Sequence, residues 1–477
     1  MVRGRCTISR TTVFINTLNG LHLIFRAALI LAFYILDPFA LSSASDEASA
    51  DALNRFGAAS YGQQPASTGH SGHNEIVVVL IDDSYLTEQN QYWPLSYTEQ
   101  SKIFRQILRH EPAALFVDFL YTHDRTQVGE KLSRLTNVVQ RYAAKTPIFI
   151  PQPTTTAFDD DALFNKARPV TVQWAGYGDF YPLTANNLPT PASALFDVFC
   201  QQNHDCTLTS ADAPTPLYLQ WGGQIHPDQH MVHNTTNCSV LPDSLQYYTR
   251  VLMAEVFWKV NDSLRQNCAY TLTLPVSSLF VSNVDDRQTI HSLLKNKIVM
   301  LGAFIQGARD TVTTPVHGKV PGVYLHAMAL DNLITMQNRV YRPAPTVYKH
   351  IDITDIIDAL FIFIVSLWQN GLRNRPSQQT PGEKAPWLRT TLITVLLITG
   401  ILGTAIIFYQ VLHIQPINWV ALLILVLLIL LQHLFHHLHV RRAYHYIATL
   451  LDKGVTHVEE NYHRLTLYVD VFRERRK

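Results

Sequence analysis

Four apolar runs constrain this chain more than any other feature. Residues 21–41, 351–368, 390–411 and 416–436 are each near the length of about 20 residues that carries a helix across the hydrocarbon core of a bilayer. Between the first and second runs lie roughly three hundred residues of ordinary globular composition, enough to bury a sizeable core of their own. The expected layout is one folded domain held by four transmembrane helices, one N-terminal and three C-terminal. It comprises a short N-terminus at 1–20, a first span at 21–41, a linker at 42–74 and the domain at 75–345. Spans at 351–368, 390–411 and 416–436 follow, with a loop at 369–389 after the first of them and a helical tail at 440–477.

Charge orients this layout. Arg3, Arg5 and Arg10 precede the first run, Arg373, Arg375, Lys384 and Arg389 fill the loop at 369–389, and Arg441 and Arg442 follow the last run. The connection around Val411 to Gln415 has no Lys or Arg. By the positive-inside rule both termini are cytoplasmic and the large domain is outside. Arg339, Arg342 and Lys349 fall on the outer side, as a long translocated domain tolerates. The basic n-region and the small residues of Ala40 to Ala50 also suit a cleaved signal peptide, but the length of the first run and Arg26 near its inner edge favour an uncleaved signal anchor. Net charge is +1 with the histidines neutral, so the basic field that nucleic-acid binding needs is missing and that class of partner is set aside.

Cysteine usage agrees with export. Cys6 stands alone on the cytoplasmic side, while Cys200, Cys206, Cys238 and Cys268 lie in the exported domain. An even number in an oxidising compartment implies two disulfides. Of three connectivities, Cys200 with Cys206 and Cys238 with Cys268 close the shorter loops. A four-thiolate metal site lacks C-x-x-C spacing and would sit in the wrong compartment.

Within the domain, Glu75 to Asp83 (EIVVVLIDD) is a continuous apolar strand ending in two carboxylates, and Ala113 to Asp118 (AALFVD) is a second that also ends in Asp. A helix at Tyr97 to Arg109 joins them, stopped at Pro112, so a right-handed βαβ unit is expected. Leu132 to Ala144 reads as a helix and Pro147 to Pro151 as a short strand. Weaker signals give strands at Val170 to Trp174, Leu217 to Trp221 and Tyr270 to Leu274, and helices at Ala192 to Phe199 and Ser244 to Trp258. Ile298 to Ala303 is a buried strand that ends at Gly302. A loop with Asp310 and Thr314-Pro315 follows, and Pro321 opens a helix whose apolar positions are Val323, Ala327, Leu330 and Ile334. The linker at 42–74, rich in Ala, Ser, Gly and Gln, shows no periodicity and reads as a tether. The fold class is α/β, with a mixed or mostly parallel sheet and flanking helices.

The stretches IVVVLIDDSYL from Ile76, Trp93-Pro94, PAALFVDFLY from Pro112, LLKNKIVMLGA from Leu293, Asp310, Thr314-Pro315 and PGVYLHAMALDNLI from Pro321 resemble the second type of the CHASE domain, a family of bacterial extracytoplasmic sensor modules. The resemblance implies a sensor facing outward in the cytoplasmic membrane, with one span before it and commonly three after it. It is strongest at the two ends of the domain. Around Gly178 to Pro182 the family's pattern is poorly matched, and the cysteine-bearing segment looks like an insertion. Family members often continue into a kinase or cyclase, whereas here only Val440 to Lys477 remains, without a glycine-rich phosphate loop or kinase motif. The expected output therefore lies in another polypeptide, and the chain itself is expected not to be an enzyme.

The candidate ligand-binding residues are Asp82, Asp83, Asp118 and Asp310, which would converge at the carboxyl edge of a parallel sheet, with Thr314 shaping the loop over that edge and His326 beside the apolar stripe of the last helix. Clustered carboxylates repel, so the set wants a divalent cation, a cationic ligand or a raised pKa; the alternative is that they cap turns and helices. No other cofactor is implied. His226, His230 and His233 read as a solvated loop rather than a metal site. For signal relay, Asp352, Asp355 and Asp358 recur every three residues at the second span, and Asp358 lies deepest. In the tail, Leu451, Val455, Val458, Tyr462, Leu465, Val469 and Phe472 alternate steps of four and three, the seam of a coiled coil, or of an amphipathic helix on the inner leaflet. Leu451, Val458 and Leu465 are its relay candidates. The expected partners are an extracytoplasmic ligand, membrane lipid, an effector in trans and a second copy of the chain. The alternatives are a structural subunit of an envelope complex and a metal-dependent periplasmic hydrolase built on the aspartates.

Overall fold

In the computed structural model of the chain, the structure describes residues 40–62, 69–122, 129–153, 165–174, 180–203, 206–232, 268–308, 310–349, 351–373 and 386–437, together with Leu29, Ala32, Asp37, Arg125, Leu163 and Cys238. Contacts divide the chain into a unit of 43–356 with 404–420 and a unit of 1–42, 357–403 and 421–477.

The first unit is built on a six-stranded parallel sheet. Its strands are β1 (Ile76–Asp82), β2 (Ala114–Val117), β3 (Ile148–Pro151), β4 (Arg168–Val170), β5 (Leu272–Pro275) and β6 (Ile298–Phe304), in the order β4-β3-β2-β6-β1-β5. Apolar residues occupy both faces of the central strands, as burial on both sides requires. Ile76, Val78, Phe116 and Met300 pack on one face against the helices Pro191–Gln202 and Val323–Met336. Val77, Val79, Leu115 and Leu301 pack on the other against Tyr97–Arg109, Leu132–Tyr142 and Val284–Leu294. The result is a three-layer α/β/α sandwich.

The helices are α1 (Leu41–Ala58), α2 (Tyr97–Arg109), α3 (Leu132–Tyr142), α4 (Pro191–Gln202), α5 (Val284–Leu294) and α6 (Val323–Met336). Local chemistry starts them. Ser96 accepts from the Glu99 N–H at the head of α2, Asn283 accepts from the Asp285 N–H at the head of α5, and Pro191 opens α4. From Val323 to Thr335 every residue of α6 is buried, so it is a core helix surrounded on all sides and not the one-striped helix expected.

Four expectations change. The strand ending at Gly302 runs on to Phe304, because β1 extends alongside it to Asp82, paired with Phe304. Pro321 ends a strand instead of opening a helix, since the expected loop is a hairpin of β7 (Thr311–Thr314) and β8 (Gly318–Pro321). β1 and β2 are not neighbours; β6 inserts between them, pairing Ile298 with both Ile76 and Ala114. The sheet is wholly parallel, within the mixed or mostly parallel arrangement expected.

The fourth concerns the tether at 42–74, most of which folds into the domain. α1 buries Ala52, Leu53, Asn54 and Arg55, and a helical turn at Gly72–Glu75 leads into β1. Small and polar residues bury here through hydrogen bonds: Asn54 donates to Leu219 O at 2.8 Å and accepts from Trp221 N at 2.9 Å, and Arg55 Nε donates to Pro315 O. An apolar-periodicity reading has no access to that mode of burial.

Of the four spans expected, two fall on helices that among the described residues are long and apolar enough to cross a membrane, Ile353–Leu372 and Arg389–Val411. A third, Trp419–His437, has a shorter apolar stretch at Trp419–Gln432, and the run at 21–41 lies almost wholly outside the described residues. The helix expected from 351 begins at Ile353, with Ile351–Asp352 in a short strand pair before it. Asp352 and Asp355 form a reciprocal cap there, each side chain accepting from the other's backbone N–H. Asp358 is 1 % exposed. The expected helix at Ser244 to Trp258, His233, and the tail with Leu451, Val458 and Leu465 lie outside the described residues.

Cys200 is bonded to Cys206 and Cys238 to Cys268, six and thirty residues apart. Loop-closure entropy assigns these about 2 and about 3.5 kcal/mol. Reduction with dithiothreitol is expected to lower the melting temperature in two separable steps, with Cys200→Ser removing only the smaller one; an unchanged melt after complete thiol labelling would contradict this.

Candidate functional site

The carboxyl edge of the sheet opens into a cavity of about 1180 Å³, where ligands of open α/β sheets bind. β2 runs out at Val117, so Asp118 is the first residue beyond the edge and lines the cavity with Ala303 of β6. The first turn of α6 adds Leu325 and His326, β7 adds Thr314, and Asp310 immediately precedes β7. From α1 come Asp46, Glu47 and Asp51, which the tether reading left out of the domain.

His326 is 4 % exposed and its Nδ1 lies 2.8 Å from the Tyr181 hydroxyl. That hydroxyl also accepts from the Ala192 N–H at 3.3 Å. Nε2 stands 3.9 Å from Asp118 Oδ1, beyond hydrogen-bond reach. Burial pushes the imidazole down to about 3, so the ring is neutral. Burial first, and then the charge of Asp310, push the Asp118 carboxyl well above the usual carboxylate range, and burial also raises Asp310. Each carboxyl disfavours ionisation of the other, so the two titrate as a pair. Gly322 is what admits Asp310 to this position: a Cβ there would lie 2.5 Å from Asp310 Oδ1, while its N–H donates to Asp310 O at 3.1 Å.

The other candidates separate. Asp82 caps the short helix Asp83–Glu88 by accepting from Tyr85 N at 2.8 Å, and Asp83 accepts from Gln306 N at 3.1 Å. Neither lines the cavity, so the expected four-aspartate cluster reduces to Asp118 and Asp310. The cause is the β6 strand wedged between β1 and β2, which sets the two strand ends one lane further apart. Thr314 is 2 % exposed, and its hydroxyl accepts from His317 N at 3.0 Å, which closes the hairpin turn. His226 is buried, its Nδ1 accepting from Asp228 N at 3.0 Å. Among the described residues no three His, Cys, Asp or Glu side chains gather as a metal ion would need.

Arg125 carries no signal in the sequence, yet it organises a wall of the cavity. Its guanidinium donates to Leu95 O at 2.8 Å and Pro94 O at 3.2 Å, lies 3.2 Å from Glu130 Oε1 and covers the Tyr97 ring at 4.6 Å. Only tertiary contacts between segments thirty residues apart could reveal it.

Behind the cavity, α6 is joined by hydrogen bonds to residues 404–420. Tyr61 Oη donates to Asp331 Oδ1 at 2.7 Å, Asn332 Nδ2 donates to Tyr61 Oη at 2.8 Å, and Asn332 Oδ1 accepts from Gln220 N at 2.8 Å. Tyr409, near the end of the apolar helix Arg389–Val411, then donates to Gln220 Oε1. Arg342 N donates to His413 O, Gln415 N returns to Arg342 O, and Trp419 Nε1 donates to Ser49 O at 3.0 Å.

No curated protein and no solved structure matches the chain. Among protein families, the CHASE2 domain matches residues 27–368, a range that includes α1 and reaches into the helix Ile353–Arg373. With that match spanning well over half of the sequence, on a sheet whose carboxyl edge carries a ligand-sized cavity, the chain belongs to the CHASE2 domain family, a family of extracytoplasmic sensor domains.

Proposed function

We propose that the protein is a multi-pass receptor of a bacterial cytoplasmic membrane. Its domain binds an extracytoplasmic small molecule in the cavity at the carboxyl edge and passes a shift to a separate effector. The observation that carries this reading is that α6 serves two partners at once. Its first turn lines the cavity through Leu325 and His326, and its later turns hold the hydrogen-bonded line through Asn332 and Gln220 to Tyr409. A ligand that repositions the start of α6 thereby biases the segment between the last two apolar helices. Both termini are cytoplasmic in this reading, and lipid surrounds the apolar helices. Asp358 and the tail seam at Leu451, Val458 and Leu465 supply contacts to an effector or to a second copy of the chain. The hydrolase alternative loses support, because Asp82 and Asp83 serve backbone amides away from the cavity.

The test is hydrogen exchange on the full chain in lipid nanodiscs, with and without a small-molecule extract of the envelope. Slower exchange is expected at 93–97, 118–122 and 310–314, accompanied by a change at 404–420. Protection of the cavity with 404–420 untouched would end the relay reading, and no protection at the cavity would end the receptor reading.

A further inference from the structure

We infer that the cavity recognises an organic cation, an ammonium or guanidinium group on an apolar body, with Asp118 as its anchoring carboxyl. This names the ligand class of the site and rests on the receptor reading above.

Charge is the first argument. Carboxyls at Asp46, Glu47, Asp51, Asp118 and Asp310 line the cavity, Asp51 facing Arg55 at 3.5 Å, against Arg125 as the only lysine or arginine among the described lining residues. The Arg125 charge is already faced by Glu130 at 3.2 Å. An anionic ligand would meet like charges, and such juxtapositions disfavour binding. The second argument is independent of the first. The Asp118 side chain is 10 % exposed, and among the described residues it has no hydrogen-bond partner, its nearest basic atom being the neutral His326 Nε2 at 3.9 Å. A carboxyl taken out of water without partners is costly, and a ligand donor placed on it removes that cost.

The walls decide between an organic and a metal cation. Trp93, Phe119, Phe180, Tyr218 and Trp221 line the cavity, and aromatic faces attract ammonium and guanidinium groups. A calcium ion takes six to eight oxygens at about 2.3–2.6 Å, which aromatic walls do not supply. The volume of about 1180 Å³ is at the upper end of small-molecule pockets, with room for an apolar body beside the charged group.

A proton signature follows. Burial and the charge of Asp310 raise the Asp118 carboxyl in the free protein, and a cation seated on it would lower it again. Binding therefore releases a proton, and affinity rises with pH until the free carboxyl ionises by itself. The groups that face Asp118 are Asp310, His326 and Tyr181, with Arg125 and the α1 carboxyls across the cavity.

The experiment is titration calorimetry on the full chain in nanodiscs, in two buffers of different ionisation enthalpy. The probes are tyramine, agmatine and spermidine, with 4-hydroxyphenylacetate and calcium chloride as the opposing classes. At least one amine is expected to bind with proton release, and Asp118→Asn is expected to weaken it about tenfold or more and abolish the release. Asp310→Asn provides a second variant should Asp118→Asn fail to fold. The inference is overturned if all three amines are silent, if the anion binds as well as the amines, if calcium alone binds in an Asp118-dependent manner, or if neither variant changes amine affinity. Loss of the amine result while envelope extract still protects 93–97 and 118–122 would remove the ligand class and leave the receptor reading standing. Loss of both would remove both.

Discussion

Asp331→Asn is expected to stabilise the protein at neutral pH relative to acid, by a difference that grows to about 4 kcal/mol between pH 4 and pH 8. Asp331 is 1 % exposed on α6. Its Oδ1 accepts from Tyr61 Oη at 2.7 Å and Thr335 Oγ1 at 3.0 Å, while Oδ2 is buried without a hydrogen-bond partner among the described residues. Burial raises the carboxyl to about 7, the two donors only moderating it. A folded-state value above the unfolded value of about 3.9 means that the native protein keeps a proton which the unfolded chain has released. Native stability from this group is therefore full below about pH 4 and is lost as pH rises toward 7, at about 1.36 kcal/mol per unit.

Other buried groups act in the same window, so the variant must be compared with the wild type at each pH. Burial lowers His73 and His317 to about 4 and His326 to about 3; these histidines destabilise the fold as pH falls below about 6.5, the opposite sign. His73 stacks on Tyr270 at 4.0 Å, and Tyr270 and Tyr61 both feel the Asp331 charge. Asp118 acts with the sign of Asp331. Because the histidines and Asp118 are present in both proteins, the wild-type-minus-variant curve isolates one carboxyl. Urea unfolding of the full chain at several pH values measures it, and parallel curves would show that Asp331 does not titrate in this range.

Gly302→Val is expected to cost about 3 kcal/mol or more and to shift α6 away from the cavity wall at temperatures where the protein remains folded. Gly302 sits within β6, paired with Leu80 of β1, and faces the first residue of α6. A Cβ built there would lie 2.6 Å from Val323 Cγ1 and 2.7 Å from Val323 Cβ. Val323 is buried and branches at that Cβ, so it has no flexible end to swing aside. Relief requires α6 to move off the sheet, and α6 carries Leu325 and His326 into the cavity and Asn332 into the line toward Tyr409. Gly307→Ala is the control, since its Cβ meets nothing within 4 Å. Equal melting temperatures for both variants would refute the steric argument. Ligand protection retained in Gly302→Val would refute the claim that α6 placement sets the site.

The sequence by itself determined the parts whose physics is one-dimensional. Short apolar runs in Ile76–Asp82, Ala114–Val117 and Ile298–Ala303 are too brief for buried helices and read as strands buried on both faces, and a parallel α/β sheet follows from alternating them with amphipathic helices. The apolar helices Ile353–Leu372 and Arg389–Val411 were legible for the same reason, as was Asp118 at a strand end. Tertiary structure alone decided which strand ends became neighbours. β6, nearly two hundred residues after β2, enters between β1 and β2, and this one placement separates Asp82 and Asp83 from the cavity while bringing Asp118 near Asp310. It decided too that Ser49, Asn54 and Arg55 are buried, that Arg125 braces Pro94 and Leu95, and that Asp331 lies under Tyr61. Those residues are polar and are stabilised by hydrogen bonds to partners remote along the chain. Such bonds depend on three-dimensional proximity and leave no periodic trace, whereas the hydrophobic effect marks every buried face with the spacing of its own secondary structure.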